Sequence, residues 1–475
     1  TMENPLSIFI RKGDQMESRL DTIAAISTAV GNSGISVIRI SGPEAFLSAG
    51  RIFKGKGSFS GYESHTVHYG KIIDPDNNAI IDEVLIIKMA APKTYTREDV
   101  VEINCHGGYV TASRILDLLY RQGIRPAEAG EFTKRAFLNG RIDLAQAEAV
   151  MDLISSRTEK SSKIALSQLE GRLSVEVNKL RQGLVEILAE IEVNLDYPEY
   201  DFEDITGEKC SIRLQNIKTE LNKLIESFSF GKILREGMEV AIIGKPNAGK
   251  SSLLNRLSRK NRAIVTEIPG TTRDILEEYV NILGLPIKLI DTAGLRDTDD
   301  RVEKIGVEKA LEVIESSDLI LFILDAKSGF EKEDMDIQEK VKDYPDKTLF
   351  VVNKTDAKDT EKIGEIRANI PDFLEISVLE DSGINVLESE IYRFANKSRT
   401  DIDNQVLVTN ARHKMLLTEA AKGIDTALSA INSGMTLDII SMDIKSAADK
   451  LGEITGHFVT EEVVLNIFKR FCVGK

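Results

Sequence analysis

Gly244-Lys245-Pro246-Asn247-Ala248-Gly249-Lys250-Ser251 has the GxxxxGK[ST] spacing of a phosphate cradle. It follows the apolar run Val240–Ile243 and leads into Leu253, Leu254 and Leu257, the strand–loop–helix setting that the motif requires. Glycines let backbone N–H groups curl around a phosphate, and a helix N-terminus behind them adds positive potential. In that geometry Asn247, Ala248, Gly249 and Ser252 line the cradle, Lys250 reaches the β- and γ-phosphates, and Ser251 holds Mg²⁺. Taken alone, the same letters can also be a glycine-rich turn.

Two later motifs argue against chance. Asp291-Thr292-Ala293-Gly294 follows the strand-like Ile287–Ile290, placing a carboxylate on the Mg²⁺ side and Gly294 at the γ-phosphate. Asn353-Lys354-Thr355-Asp356 follows Leu349–Val352. The Asp356 carboxylate can accept from both N1–H and the exocyclic amine of guanine. Adenine has no such donor pair, so the pattern selects GTP over ATP. Thr271 or Thr272 is the natural Mg²⁺ switch residue, and Ser377 is a weaker guanine-loop candidate because Val378 stands where Ala is more usual. The residue after Gly294 is Leu295, which cannot orient water as a glutamine there does. Glu303 is the nearest polar substitute, or else a solvated helix charge; spacing does not choose between them.

The elements that must position these residues fall into three regimes. Short β-like runs (Ile35–Ile40, Val84–Met89, Val100–Asn104) occupy residues 21–139. Helical periodicity follows, with Leu144, Ala147, Val150, Met151 and Ile154, then Leu180, Leu184, Ile187, Leu188 and Ile191. Strands alternate with helices over 235–396, as in a doubly wound, mostly parallel sheet, and helices resume around Met415, Leu416, Leu417, Ala447, Leu451 and Ile454. We therefore expect a multidomain α/β and all-α chain. Residues 140–234 and 397–475 form one discontinuous helical domain, the α/β unit 235–396 is inserted in it, and residues 1–20 are a poorly ordered extension with Met16 as an alternative start.

At 475 residues, 42% hydrophobic and 29% charged, the chain is too apolar to be mostly disordered. Its longest purely apolar run, Leu319–Leu324, is far short of a membrane span. Cys105, Cys210 and Cys472 are too scattered for a disulfide framework or zinc site, and a reducing cytoplasm fits best. Net charge is −15, of which residues 235–396, with 23 basic and 33 acidic side chains, carry −10. An RNA substrate then needs a basic partner or a local basic patch.

The chain from about Asp21 onward resembles the MnmE (TrmE) family of tRNA-modification GTPases. The likeness rests on Asp21-Thr22-Ile23-Ala24-Ala25, Arg39-Ile40-Ser41-Gly42, Glu98-Asp99-Val100-Val101-Glu102, His106-Gly107-Gly108, Gly130-Glu131-Phe132, Arg135–Asn139, Asp143–Ala149 and the final Phe471-Cys472-Val473-Gly474-Lys475. The resemblance implies an N-terminal α/β folate-binding and dimerising domain at 21–139, a split helical domain and an inserted Ras-like P-loop GTPase domain. It implies K⁺-stimulated hydrolysis, with Asn247, Thr271 and the carbonyls of Thr266 and Ile268 as K⁺ ligands, Thr272 and Ser251 on Mg²⁺, and Glu303 orienting the attacking water. Its folate pattern maps onto Arg39, Glu102, Arg141 and Lys475, binding 5-formyl- or 5,10-methylene-tetrahydrofolate. Arg97 replaces the usual glycine before Glu98. It further implies a homodimer that joins an MnmG (GidA)-type, FAD-containing flavoprotein in a heterotetramer. Together they install an aminomethyl or carboxymethylaminomethyl group at C5 of the tRNA wobble uridine. Cys472 is a reactive-thiol candidate beside Lys475 and Arg470, or a thiol packed with Phe468 and Phe471. A GTP-dependent ribosome-assembly or RNA-binding switch shares the nucleotide motifs but leaves residues 21–139 unexplained, and a folate enzyme whose nucleotide unit is only structural is a further alternative.

Overall fold

A computed structural model describes residues 21–29, 31–196, 207–260, 278–291, 312–357, 359–396 and 405–475. Strands β1 (Ile23–Ile26), β2 (Ile35–Ser41), β3 (Phe53–Gly55), β4 (Thr66–Ile73), β5 (Ile80–Met89), β6 (Val100–His106) and β7 (Arg125–Pro126) form one sheet, ordered β3-β4-β5-β6-β2-β1-β7. All pairs are antiparallel except β1 with β7. Because strand side chains alternate, one face carries Ile38, Ile40, Ile103 and Ile86 into a core under α1 (Ala45–Ile52) and α2 (Tyr109–Tyr120). The opposite face carries Ala25, Arg39, Glu102, Ile87 and Val67 as one cross-strand row.

Short α3 (Glu131–Leu138) lies at the β1 end, where Phe132 packs with Ile23, Ala25 and Tyr95. A charged network anchors it. Arg135, with its side chain only 6% exposed, reaches Asp21 (2.6 Å), Glu131 (3.0 Å) and Glu98 (3.2 Å), and Arg125 binds Asp21 and Glu131 as well. Burial would raise the Glu131 carboxyl, but hydrogen bonds from Arg125, the Glu128 backbone and Arg135 outweigh it and hold it below the usual range.

The helical unit opens with α4 (Leu144–Ser155). Its Asp143 caps the Gln146 N–H while the Gln146 side chain returns the bond, a reciprocal capping box. After α5 (Glu159–Leu169) come the long α6 (Arg172–Asp196) and α7 (Gly207–Glu236). Val177, Leu184 and Ile191 recur every seven residues, as do Leu214, Leu221 and Phe228, so their apolar stripes can run side by side. The same core takes Leu417 and Ile424 from α12 (Ala411–Asn432) and Ile444 and Leu451 from α13 (Leu437–Thr455), so both flanks of the chain build one bundle. Within the periodic runs read from sequence, Ile154 and Met415 are exposed instead of buried: Ile154 is in the last turn of α4, and Met415 lies beside the buried Leu416 and Leu417. α14 (Glu461–Phe468) folds back on α3 through Phe137, Phe468 and Phe471.

Between the flanks, β8 (Met238–Ile243), β9 (Glu278–Ile282), β10 (Leu285–Asp291), β11 (Leu319–Asp325), β12 (Thr348–Asn353) and β13 (Leu374–Glu375) form a sheet ordered β13-β12-β11-β8-β10-β9. Every pair is parallel except the β9–β10 hairpin. Helices α8 (Lys250–Lys260), α9 (Lys332–Val341), α10 (Thr360–Asn369) and α11 (Ile384–Ala395) accompany it. All seven residues of β11 are buried, which explains an apolar run without alternation: helices cover both faces of this central strand. Among the described residues no helix is long and apolar enough to cross a membrane.

The flanks are locked together by Glu148 of α4. Its carboxylate receives Arg412 (2.7 Å) and His413 (2.7 Å) from the first turn of α12, and Asn410 at 3.0 Å. Burial alone would raise the Glu148 carboxyl, but His413 and Arg412 together depress it to about 2. Glu148→Ala should cost about 3 to 5 kcal/mol by stranding the buried His413 and the half-buried Arg412 without their shared carboxylate. The depressed carboxyl binds a proton more readily when unfolded. Its stabilisation is therefore complete above the ordinary value of 4.5 and is lost as pH falls towards 2. Urea denaturation of both proteins should show the gap between them shrinking as pH drops from about 7 to about 3.

Candidate functional site

The ends of β8, β11, β12 and β13 converge at one edge of the parallel sheet, where open α/β folds bind ligands. After β8 the chain arches through Gly244 (φ 147°), Asn247 (φ 62°) and Gly249 (φ 99°) into α8. A Cβ on Gly249 would stand 2.1 Å from Asn353 Nδ2, so this approach admits only glycine. Lys250 is buried and donates to the carbonyls of Gly244 (2.8 Å) and Lys245 (2.7 Å), holding its ammonium inside the arch. Ser251 and Ser252 stand exposed in the first turn of α8.

The motif after β12 braces this loop. Asn353 Nδ2 donates to Ala248 O (2.9 Å), and Lys354 Nζ donates to Asn247 O (2.6 Å) and to Asp325 (2.6 Å) at the end of β11. Val378 N–H donates to Asn353 Oδ1 (3.2 Å), and Ser377 Oγ donates to Asp356 Oδ1 (2.8 Å). Ser377 thus joins Asp356 directly. Sequence reasoning passed over two members of this site. Asp325 was legible as the carboxylate ending the longest apolar run. Lys245 was hidden inside the loop motif: its ammonium is 5% exposed and bridges Glu331 (2.8 Å) and the fully buried Asp334 (2.9 Å) at the start of α9. Burial would lower that ammonium's pKa, but the two carboxylates outweigh it and raise it.

Asp291 ends β10 as the sequence places it. Thr266, Ile268, Thr271, Thr272, Gly294 and Glu303 lie outside the described residues.

A second constellation sits on the cross-strand row of the N-terminal sheet. Arg39 and Glu102 are direct partners between β2 and β6, and Arg39 Nε donates to Glu102 Oε1 (2.8 Å). The Arg39 guanidinium lies 5.5 Å from the Tyr95 ring and 5.6 Å from Phe132. Arg141 covers Tyr95 at 4.7 Å and donates to its carbonyl (3.1 Å). The C-terminal segment packs against this pair: Val473 bridges Ala129, Gly130 N–H donates to Cys472 O (3.2 Å), and Arg39 donates to Gly474 O (3.4 Å). Gly474 (φ 91°) has no room for a Cβ, which would meet Ile26 O at 2.1 Å. Lys475 follows, half-buried.

Cys472 is exposed while its neighbours Phe468 and Phe471 are buried, which removes the packed-thiol alternative. Cys105 and Cys210 are buried, and burial pushes the Cys105 thiol up to about 11. Arg97 adopts φ 60°, a left-handed conformation that suits glycine, and donates to Asn139 O (2.9 Å).

Residues 22–141 match the family model described as GTP-binding protein TrmE N-terminus, and residues 144–472 match the MnmE helical domain. The chain is 52% identical to tRNA modification GTPase MnmE of Acetivibrio thermocellus, over 96% of this chain and 99% of that one. It is 46% identical to the Staphylococcus haemolyticus protein of the same name, with the same shares covered. Among solved structures, Aquifex aeolicus Era bound to GDP and aluminium fluoride is 28% identical, covering 39% of this chain and 66% of that one at a TM-score of 0.28. With both family models matched in sequence order and about half of all residues shared along the full relatives, the chain belongs to the MnmE family of tRNA modification GTPases.

Proposed function

We propose that this chain couples GTP hydrolysis to a folate-dependent modification at C5 of the tRNA wobble uridine, as a homodimer working with an MnmG-type flavoprotein. The observation that carries the folate half is the Arg39–Glu102 pair beside Tyr95 and Phe132, closed by Gly474. A pterin suits it: the rings offer flat apolar surface, and Glu102 Oε2 is left to accept from pterin N–H donors. Since Arg39 orients Glu102, the cations for the glutamate tail are Arg141 and Lys475. Bound 5-formyl- or 5,10-methylene-tetrahydrofolate supplies the one-carbon unit, while the partner's FAD supplies redox capacity.

On the nucleotide side, the donor set fits GTP. Lys250 is poised to exchange its loop carbonyls for phosphate oxygens, and Ser377 fixes the Asp356 carboxylate to accept from guanine. Ser251, Thr272 and Asp291 are assigned to Mg²⁺, which screens phosphate charge. Asn247, Thr271 and the Thr266 and Ile268 carbonyls are assigned to K⁺, oxygen ligands suited to a hard cation that takes the role of an arginine finger. Glu303 orients water in place of the glutamine that Leu295 cannot supply.

The homodimer finds support in the open sheet face. Tyr69 and Leu85 face each other across β4 and β5 at 61% and 45% exposure, and Val67, Ile80 and Ile35 are also exposed. The row Val67–Ile87–Glu102–Arg39 runs from that apolar surface straight into the proposed folate pocket. Covering it with a second copy would bury the apolar sheet face beside the pocket. Hydrolysis then serves as a conformational step that orders the joint site.

Mass spectrometry of digested tRNA from cells lacking the protein should show loss of 5-aminomethyl-type wobble uridines. The intact gene should restore them; a Lys250→Ala version, with turnover down about 10²-fold or more, should not. Unchanged wobble uridines would return the chain to a ribosome-assembly or RNA-binding switch. Arg39→Ala should weaken 5-formyltetrahydrofolate binding roughly tenfold or more, the loss of one charged hydrogen bond, with GTP turnover unchanged. Lys245→Met should release a fluorescent GDP analogue about tenfold faster in stopped flow by freeing the loop from Asp334, whereas Lys245→Arg should keep the wild-type rate.

A further inference from the structure

The chain is acidic overall, yet the mouth of the folate pocket is not. Arg97, Lys134, Arg141, Lys469, Arg470 and Lys475 all flank the short stretch where α3 meets the C-terminal segment, and among the described residues none of the six forms an ion pair. Their placement follows from backbone contacts. Lys134 sits one turn into α3, its N–H donating to Gly130 O (2.8 Å), while the Gly130 N–H donates to Cys472 O (3.2 Å) in the C-terminal segment. Lys469 and Arg470 follow α14, exposed between the buried anchors Phe468 and Phe471. Arg97 and Arg141 donate to backbone carbonyls of Asn139 and Tyr95 instead of to acids, so their guanidiniums are oriented without being neutralised. Nearby Glu98 and Glu131 are already matched by Arg135 and Arg125; Glu128, exposed in the turn before α3, is the acid on the rim itself.

A single glutamate tail carries two carboxylates, for which Arg141 and Lys475 suffice. Arg97, Lys134, Lys469 and Arg470 remain. Cations without ion pairs on segments that meet beside the pocket, next to exposed Val473 and the Tyr95 ring, match a nucleic-acid backbone that passes the rim while a base is presented inward. We propose that Arg97, Lys134, Lys469 and Arg470, continuous with Arg141 and Lys475, form a docking rim for RNA phosphates that sets the wobble base against the Arg39–Glu102 pocket. The proposal rests on the folate reading for its pocket and adds to it a surface and a ligand class. It assigns part of the RNA grip to this chain and not wholly to a basic partner.

The test measures binding of a fluorescein-labelled anticodon stem-loop RNA to the full chain by anisotropy, from about 50 to about 200 mM KCl. Each phosphate contact removed lowers the slope of log affinity against log salt by about 1. Lys469→Ala/Arg470→Ala should therefore lower it by about 2 and Lys134→Ala by about 1, with GTP turnover and 5-formyltetrahydrofolate binding unchanged. The charge-preserving Lys469→Arg/Arg470→Lys protein should keep the wild-type slope. An unaltered slope in the alanine variants, or no RNA binding by the wild type at about 50 mM salt, overturns the proposal. Loss of folate binding with RNA binding intact also overturns it, by assigning these cations to a longer glutamate tail. Loss of flavoprotein association with RNA binding intact does the same, by assigning them to an acidic protein face. Arg39→Ala separates the two readings: it tests the pocket and leaves the rim cations in place.

Discussion

The architecture depends on one buried carboxylate. The chain leaves the helical bundle at Glu236, builds a whole sheet, and must return to α12 in register with helices laid down more than two hundred residues earlier. Glu148 fixes that return by taking Arg412, His413 and Asn410 together. A like-sized apolar residue could fill the volume, but it could not choose which helical turn docks. Gln168 repeats the principle nearby by donating to Leu407 O (2.9 Å) and Thr409 (3.1 Å). Polar contacts set the register here, and the seven-residue apolar stripes of α6 and α7 supply the bulk of the burial.

Both sites use the same construction, a side chain from one element braced against backbone from another. Asn353 and Lys354 hold carbonyls of the loop before α8; Arg39 holds the carbonyl of Gly474. Such bonds restrain the main chain itself, which suits sites that must present backbone groups to a ligand. The inserted unit also touches the bundle directly. Thr158, at the cap of α5, donates to Gly284 O in the β9–β10 hairpin (2.8 Å), and Arg157 lies 3.4 Å from the Tyr279 ring. Movement of that hairpin would be felt by α5.

What was legible in the sequence tracks how local the cause is. The loop before α8 and the strands around it were readable because phosphate binding imposes fixed spacing on adjacent residues. The central strand β11 was readable as an unbroken apolar run. Lys245 was not, because its partners Glu331 and Asp334 lie over eighty residues away and nothing in the local pattern marks them. Without the family likeness, Arg39, Glu102 and Lys475 read as unremarkable surface residues. Only the register between β2 and β6, and the return of the C-terminal segment, makes them a pocket. The exposure of Cys472 beside two buried phenylalanines likewise follows from how α14 meets α3, which periodicity does not report.

The bond from Arg39 to Gly474 spans 435 positions of chain. During synthesis the N-terminal sheet emerges first, and the inserted nucleotide unit can close its own parallel sheet well before residues 471–475 leave the ribosome. The N-terminal pocket is therefore among the last features to form, and it forms only after the bundle has carried α14 back to α3. A chain stalled or clipped just before Phe471 would keep its guanine-binding machinery and lose the floor of its other pocket. Such a product would keep the parallel sheet and its loop bonds while losing the backbone carbonyl that holds Arg39, so damage to the final few residues would strike one site and spare the other.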